Sequence, residues 1–230
     1  MGPEAANVDS YRYERKFAIS NMEAAHVKSM IKLHPALFFE KYPPRYVNNI
    51  YFDTPGAKSF FENIDGAANR CKVRLRWYGP LFGYIEKPIL EFKIKSGLVG
   101  RKESFVMPPF SLEPGITKED IRTLCSDAAL PKLFKMNLFE REWILINHYY
   151  RNYFQSSDGA FRITVDADVT SYKPDVFRTM FDERLVDDHI IIELKYDKSQ
   201  VQRANTISNM FPFRMTKNSK YVNGITGLYS

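Results

Sequence analysis

The sequence predicts an α+β domain, mainly antiparallel, in which about eight strands close into a β-barrel with helices packed outside. Three observations carry this expectation. Charged residues recur at every second position: Arg70, Lys72, Arg74 and Arg76 alternate with Cys71, Val73, Leu75 and Trp77. In an extended segment that period puts the cations on one face and the apolar groups on the other. The alternation returns in Arg12-Glu14-Lys16, Glu91-Lys93-Lys95, Arg162-Thr164-Asp166-Asp168 and Glu193-Lys195. Short connections rich in Gly and Pro, without a strand–helix–strand period, argue for antiparallel neighbours. The 18 Phe and 14 Tyr favour strands and large apolar contacts. A sheet with one apolar and one charged face is satisfied by closing, with helices over the first and a polar hole inside the second.

Taken in order, residues 1–10 read as a loose tail and 11–230 as a single domain. Residues 11–17 alternate as a strand. Ser20, with Glu23 three places on, has the pattern of a capping box for a helix running to about Leu33. Pro35, Pro43 and Pro44 predict irregular chain before a strand at 46–52. Asp53-Thr54-Pro55 opens a short helix towards Asn63, because Pro suits a first helical turn. After the Asp65-Gly66 turn, strands at 70–78, 88–95 and 99–107 form a meander separated by Gly79-Pro80, the Gly83 loop and Ser96-Gly97. Pro108, Pro109 and Pro114 lead to a helix at 117–126, its start marked by Thr117 and Asp120, and then to helical or irregular chain over 127–138. Strands at 141–154 and 160–169 are joined by Ser157-Asp158-Gly159. An apolar strand at 190–196, a helix at 200–210 and a basic segment over 214–220 finish the fold.

Composition narrows the function. The formal charge is +6, from 33 basic and 27 acidic residues. A nucleic-acid binder more often carries a contiguous basic stripe; here the cations stand beside carboxylates, which suits a compact anion with a metal ion. No nucleic-acid partner is expected. Cys71 and Cys125 have no metal-ligand spacing and read as buried thiols of a reducing compartment. No apolar run approaches 18 residues, and the start lacks a basic region followed by an apolar one, so a soluble cytoplasmic domain is expected. There is no Gly-rich phosphate loop and no dinucleotide fingerprint. The four histidines are scattered: His26 and His34 read as surface helix residues, His148 as part of a strand face and His189 as a turn residue. No serine or cysteine nucleophile stands out.

Any one charged strand face is equally explained by solvent exposure. The run from Arg70 to Arg76 is harder to place there, because four like charges on one face repel unless an anion or facing carboxylates neutralise them. Phosphoryl transfer needs such clamping, from Arg, Lys and usually a divalent metal. Glu14, Glu91 and Glu193 each have a lysine two residues later, which points a carboxylate and an ammonium into the same space. Magnesium and manganese prefer oxygen ligands of this kind.

An ordered set of short motifs then resembles a known family. It runs from Tyr13-Glu14-Arg15-Lys16-Phe17 through Tyr51-Phe52-Asp53-Thr54, Val73-Arg74-Leu75-Arg76-Trp77, Glu91-Phe92-Lys93, Arg101-Lys102-Glu103, Tyr150-Arg151-Asn152 and Arg162-Ile163-Thr164 to Glu193-Leu194-Lys195 and Thr216-Lys217-Asn218-Ser219-Lys220-Tyr221. These resemble the VTC domain, the catalytic domain of polyphosphate polymerases, in the CYTH-like superfamily of triphosphate tunnel metalloenzymes. The resemblance covers nearly the whole chain. It implies an antiparallel tunnel, a Mn2+ or Mg2+ cofactor, and transfer of the ATP γ-phosphate to a growing polyphosphate chain, with inorganic phosphate or pyrophosphate as further partners. Arg74, Arg76, Lys93, Arg151 and Glu193 would carry catalysis. Phosphates would be held by these cations together with Lys16, Lys102, Arg162, Lys195, Lys217, Ser219 and Lys220. Glu193 would position the metal, with Glu14 and Glu91 either assisting or pairing with neighbouring cations. Simpler triphosphatases of the superfamily carry Glu-x-Glu-x-Lys on the first strand; here position 12 is Arg, which favours transfer over hydrolysis. A triphosphatase of the same fold, a non-catalytic polyphosphate-binding module and a structural protein remain as alternatives. Oligomeric state is not readable from the sequence.

Overall fold

The computed structural model describes residues 12–97, 99–113, 115–174 and 184–229. The tail expected over 1–10, Tyr11 and Pro114 lie outside the described residues. Among the described residues eleven strands and six α-helices follow one another: β1 (Arg12–Ile19), α1 (Ala24–Lys32), β2 (Phe39–Asp53), α2 (Lys58–Ile64), β3 (Asn69–Tyr78), β4 (Gly83–Ile85), β5 (Ile89–Ser96), β6 (Val99–Val106), β7 (Phe110–Leu112), α3 (Lys118–Asp127), α4 (Lys132–Phe139), β8 (Glu142–Gln155), β9 (Phe161–Tyr172), β10 (Arg184–Asp187), β11 (Ile190–Asp197), α5 (Val201–Asn209) and α6 (Lys220–Tyr229). No helix among the described residues is long and apolar enough to cross a membrane.

The main sheet is antiparallel, in the order β1-β11-β9-β8-β2-β3-β5-β6, with β10 beside β9 and a separate β4–β7 pair. The expected hydrogen-bonded closure of the barrel is not found among the described residues: β1 and β6 stand at the two ends of the order and do not pair. A physical reason is visible at β1. Its outer edge is taken by chain ahead of α6, where Phe17 bridges Met215, Thr216 N–H donates to the Lys16 carbonyl at 2.8 Å, and Ala18 N–H donates to Thr216 Oγ1 at 3.0 Å. The sheet therefore curls around its polar face without closing on itself.

The apolar face packs outwards under helices, as the alternation requires. Val73, Leu75, Trp77, Leu90 and Phe92 meet Ile121 and Leu138 of α3 and α4 in one cluster. Phe17, Ile163, Val165, Ile192 and Leu194 meet Val27 and Ile31 of α1 and Ala204 and Ile207 of α5 in another. The capping box at α3 forms as its residues imply, with Thr117 and Asp120 exchanging bonds.

Four local expectations fail. No side-chain cap bond starts α1, whose N-cap is Glu23, so the Ser20–Glu23 box is not made. Pro43 and Pro44 lie within β2 rather than in irregular chain. The register of β2 against β8 slips between Glu40 and Tyr42 and again between Tyr42 and Arg45, and such bulges are where a strand tolerates residues without an N–H. His34 is buried rather than a surface residue. Its Nδ1 accepts from Ala36 N–H at 3.0 Å, so Nε2 carries the proton and donates to the Ile207 carbonyl at 3.3 Å. The segment after Lys217, read only as basic, becomes helix α6. That helix enters the concave side of the sheet: Gly224 faces Leu145 and Ser171, which share the inner face with Tyr51 through the registers of β8 with β2 and β9.

Candidate phosphate-binding lumen

The concave face holds a cavity of about 160 Å³ whose wall draws on seven strands and the start of α6. Nine cations and three carboxylates line it, an excess of six positive charges. The alternation of β3 delivers Lys72, Arg74 and Arg76; β5 delivers Glu91 and Lys93; β1 delivers Glu14 and Lys16; β11 delivers Glu193 and Lys195; β8 delivers Arg151 and β6 delivers Lys102. It opens into a vestibule of about 700 Å³ where Arg70, Lys95 and Lys217 continue the positive wall.

Carboxylates are distributed among the inner cations. Glu91 is 6% exposed and holds Arg74 at 2.6 Å, Lys102 at 3.3 Å and Arg76 at 3.6 Å. Burial alone would raise its pKa, but Arg74 and Arg76 outweigh that and pull it to about 2. Asp166, fully buried on β9, takes a two-pronged bond from Arg151 at 2.5 and 2.7 Å, and the Lys220 ammonium at 2.5 Å. Glu193 accepts Lys195 at 2.9 Å and Lys16 at 3.2 Å, and Lys16 also reaches Glu14 at 3.1 Å. Burial opposes ionisation of Glu193, yet Lys195, Lys16, Lys220 and Arg151 hold its carboxyl well below the usual range. Lys16 is correspondingly held protonated by Glu193 and Glu14 against its own burial.

Most of the sequence-predicted site residues converge here. Lys16, Arg74, Arg76, Lys93, Lys102, Arg151, Lys195, Ser219 and Lys220 all line the inner cavity, and Lys217 lines the vestibule. Arg162 does not join them. It is exposed on β9, across from Lys195, and lines neither space. Asp168, expected on the same charged face, sits at a register slip with φ of 55°, which takes it out of the alternation. The metal-ligand expectation divides. Glu14 and Glu193 meet around one ammonium, whereas Glu91 lies on the other wall, saturated by three cations. Among the described residues, no cluster of three or more His, Cys, Asp or Glu could hold an ion by itself.

Residues not singled out as site members also belong to the wall. Lys72, Tyr51, Tyr149 and Tyr221 line the cavity, and Asp166 anchors two of its cations. The period-two pattern put Asp166 on the charged face, but only the β8–β9 register, which sets Arg151 opposite it, gives it a role. Asp53 is buried behind the wall. It accepts from Ser59 and Phe60 N–H at the start of α2, at 2.9 and 3.0 Å, and from the Tyr221 hydroxyl, tying α6 to the sheet.

A family model described as the VTC domain matches residues 11–229. Solved structures similar to the chain include a candidate adenylate cyclase from Vibrio parahaemolyticus, 16% identical with a TM-score of 0.52, covering 93% of this chain and 98% of that one. A candidate adenylyl cyclase from Hippeastrum, described as having a dominant triphosphatase activity, is 13% identical with a TM-score of 0.51 over 93% and 95%. A candidate adenylate cyclase from Bacillus halodurans is 12% identical with a TM-score of 0.53 over 94% and 96%. At these identities the likeness is one of fold. No curated protein matches the chain. With all but the first ten residues and the last matched by a single family model, the chain belongs to the VTC domain family.

Proposed function

We propose that this protein is a metal-dependent phosphotransferase that moves the γ-phosphoryl group of ATP onto a polyphosphate chain held in the lumen. The observation that carries the reading is the wall's composition: cations exceed carboxylates by six, and every lining carboxylate is engaged by lumen cations. Such a wall binds long anions yet offers no free carboxylate as a base for activating water. A phosphate-chain acceptor needs none, because its terminal oxygen is already anionic.

Arg74 and Arg76 would take the phosphoryl oxygens, since guanidinium groups bind phosphate edges through paired donors. Their directions are fixed before substrate arrives, Arg74 by Glu91 and Arg76 by the Asn49 side-chain oxygen Oδ1 at 2.9 Å, so little reorganisation accompanies transfer. Arg151 and Lys220, tethered through Asp166, would hold neighbouring phosphates. A divalent ion fits this donor set. Glu193 and Glu14 supply carboxylate oxygens around a cation position now filled by the Lys16 ammonium, and Thr164, across from Glu193 on β9, has a buried hydroxyl with no partner among the described residues. Mg2+ and Mn2+ commonly bind through one or two carboxylates together with substrate phosphates. When bound, the ion would neutralise charge on the phosphate oxygens.

Hydrolysis of a triphosphate in the same lumen is the second reading, favoured by the triphosphatase activity described for the Hippeastrum neighbour. The two are separated by incubating the purified protein with ATP and Mn2+ or Mg2+ and resolving the products on a gel. Long polyphosphate supports transfer. Orthophosphate alone supports hydrolysis. Tight chain binding without turnover, unchanged in Glu193→Gln, would identify a binding module and defeat both.

A further inference from the structure

The inner cavity and the vestibule share Glu14, Lys16, Lys72, Lys93 and Ser219, which form the waist between them. The cations of this waist are not equivalent. Lys16 is clasped by two carboxylates. Among the described residues, Lys72 has no carboxylate within ion-pair distance. Its ammonium donates to the Ser219 hydroxyl at 3.1 Å and stands 5.8 Å from the Tyr221 ring centre. Directly across the β3–β5 register is another lysine, Lys93. Arg70 and Arg74 flank it on its own strand, and Lys16 faces it from β1. The acids on the surrounding elements are committed elsewhere: Glu14 and Glu193 to Lys16, and Glu91 to Arg74. From the chain leading into α6, Lys217 adds positive charge to the vestibule, while Tyr51 and Tyr149 bring aromatic rings from β2 and β8.

We propose that Lys72 is a conditional phosphate ligand: it takes up a proton as a polyanion enters the waist, so chain binding and protonation at this one side chain are coupled. The inference rests on the lumen holding phosphate chains, and adds to it the residue that makes their binding depend on pH. Burial, then the charges of Lys16, Lys93, Arg70 and Arg74, lower the pKa of Lys72 to about 7 in the empty lumen. A phosphate lodged between Lys72 and Lys93 supplies the missing negative charge and draws the proton back. The complex then binds more protons than the free protein. Affinity is therefore full below pH 7 and declines as pH rises above it, until the pKa of Lys72 in the complex is reached.

The test is titration calorimetry of the full chain with long-chain polyphosphate, without metal, in buffers of different ionisation enthalpy. The internal phosphates of a long chain do not titrate near neutral pH, so the protons counted belong to the protein. At pH 8 the expected result is uptake of about one proton per occupied waist, with an affinity about tenfold weaker than at pH 6. Lys72→Arg, always charged, should bind equally well at both pH values and take up no proton. Lys72→Gln should also take up none, and should bind at both pH values about as weakly as the wild-type chain does at high pH. Uptake that persists in both variants, or that disappears instead in Lys93→Arg, overturns the assignment, as does chain binding to the wild-type protein without proton uptake. Failure of polyphosphate to bind at either pH would overturn the lumen reading itself and this inference with it.

Discussion

Replacing Glu91 by Gln tests the electrostatic construction of the lumen most directly. The substitution keeps the shape of the side chain and removes the charge that neutralises Arg74, Arg76 and Lys102. A carboxylate titrating near 2 instead of its ordinary 4.5 contributes about 3 kcal/mol to folding when ionised. An independent route gives the same size: removing one partner of a buried pair costs about 3–5 kcal/mol. For a chain of this length, that lowers the melting temperature by roughly 6–12 °C. The pH dependence has a definite sign. The folded pKa is depressed, so the contribution is complete above 4.5 and is lost as pH falls from there through 2. The gap between the two proteins should therefore be widest at neutral pH and shrink by more than half at pH 3. Tripolyphosphate should stabilise the variant more than the wild type, because the anion replaces the missing charge beside the two guanidinium groups. Urea unfolding at pH 7 and pH 3, with and without the anion, reads all of this. Equal stability at pH 7 without anion, or a gap that does not change with pH, would refute the reasoning.

Further outcomes follow from the same geometry. Arg76→Ala should reduce ATP turnover by roughly 10- to 100-fold, because its guanidinium faces the cavity. Arg162→Ala, on an exposed position outside both spaces, should leave turnover within about twofold; a matching loss in both would put Arg162 back in the site. Gly224→Ala should destabilise by about 1–3 kcal/mol in a thermal melt, since a Cβ there would stand 2.8 Å from Leu145 Cδ2 and 2.9 Å from Ser171 Oγ. It should also lower turnover through α6, which carries Lys220, and a variant as stable as wild type would show that α6 is not seated against these residues. Asp53→Asn should cost about 3 kcal/mol or more in urea unfolding, because the carboxylate is fully buried and serves the start of α2, Tyr221 and Arg141 together; a loss under 1 kcal/mol would contradict that.

Sequence reasoning reached the lumen because its signal is local. A period of two in β3 fixes which side chains share a face, whatever the rest of the chain does, and the faces of β1, β5 and β11 could be read in the same way. What stayed hidden depends on long-range pairing. Asp166 becomes the anchor of Arg151 and Lys220 only through the β8–β9 register and the return of α6 from 54 residues away. Arg162 has the same residue type and alternation as its neighbours, yet its level along β9 carries it past the cavity. Closure of the barrel could not be read either, because the edge of β1 is claimed by the chain around Met215, a segment with no strand pattern of its own. Pro43 and Pro44 misled for a related reason: a proline argues against a regular ladder, but β2 accommodates both through slips against β8 that no local pattern announces.

The distribution of carboxylates explains how the empty lumen tolerates its charge and why its two halves should behave differently. Inside, Glu91, Asp166, Glu193 and Glu14 each tether at least one cation, so the groups expected to meet the reacting phosphates are aimed in advance and stable without ligand. Their positive charge is only partly spent, since the lining keeps its excess of six. From the waist outwards the cations Lys72, Lys93, Arg70, Lys95 and Lys217 have no ion-pair partner among the described residues, and an entering anion relieves their mutual repulsion. A wall paired throughout would be more stable and would bind chains weakly. An unpaired wall throughout would bind them tightly and would leave its arginines without fixed directions. The observed division gives geometry to the inner half and affinity to the outer half. Charge-removing substitutions should sort accordingly, with inner carboxylates affecting folding and turnover together and outer lysines affecting chain affinity with little effect on folding.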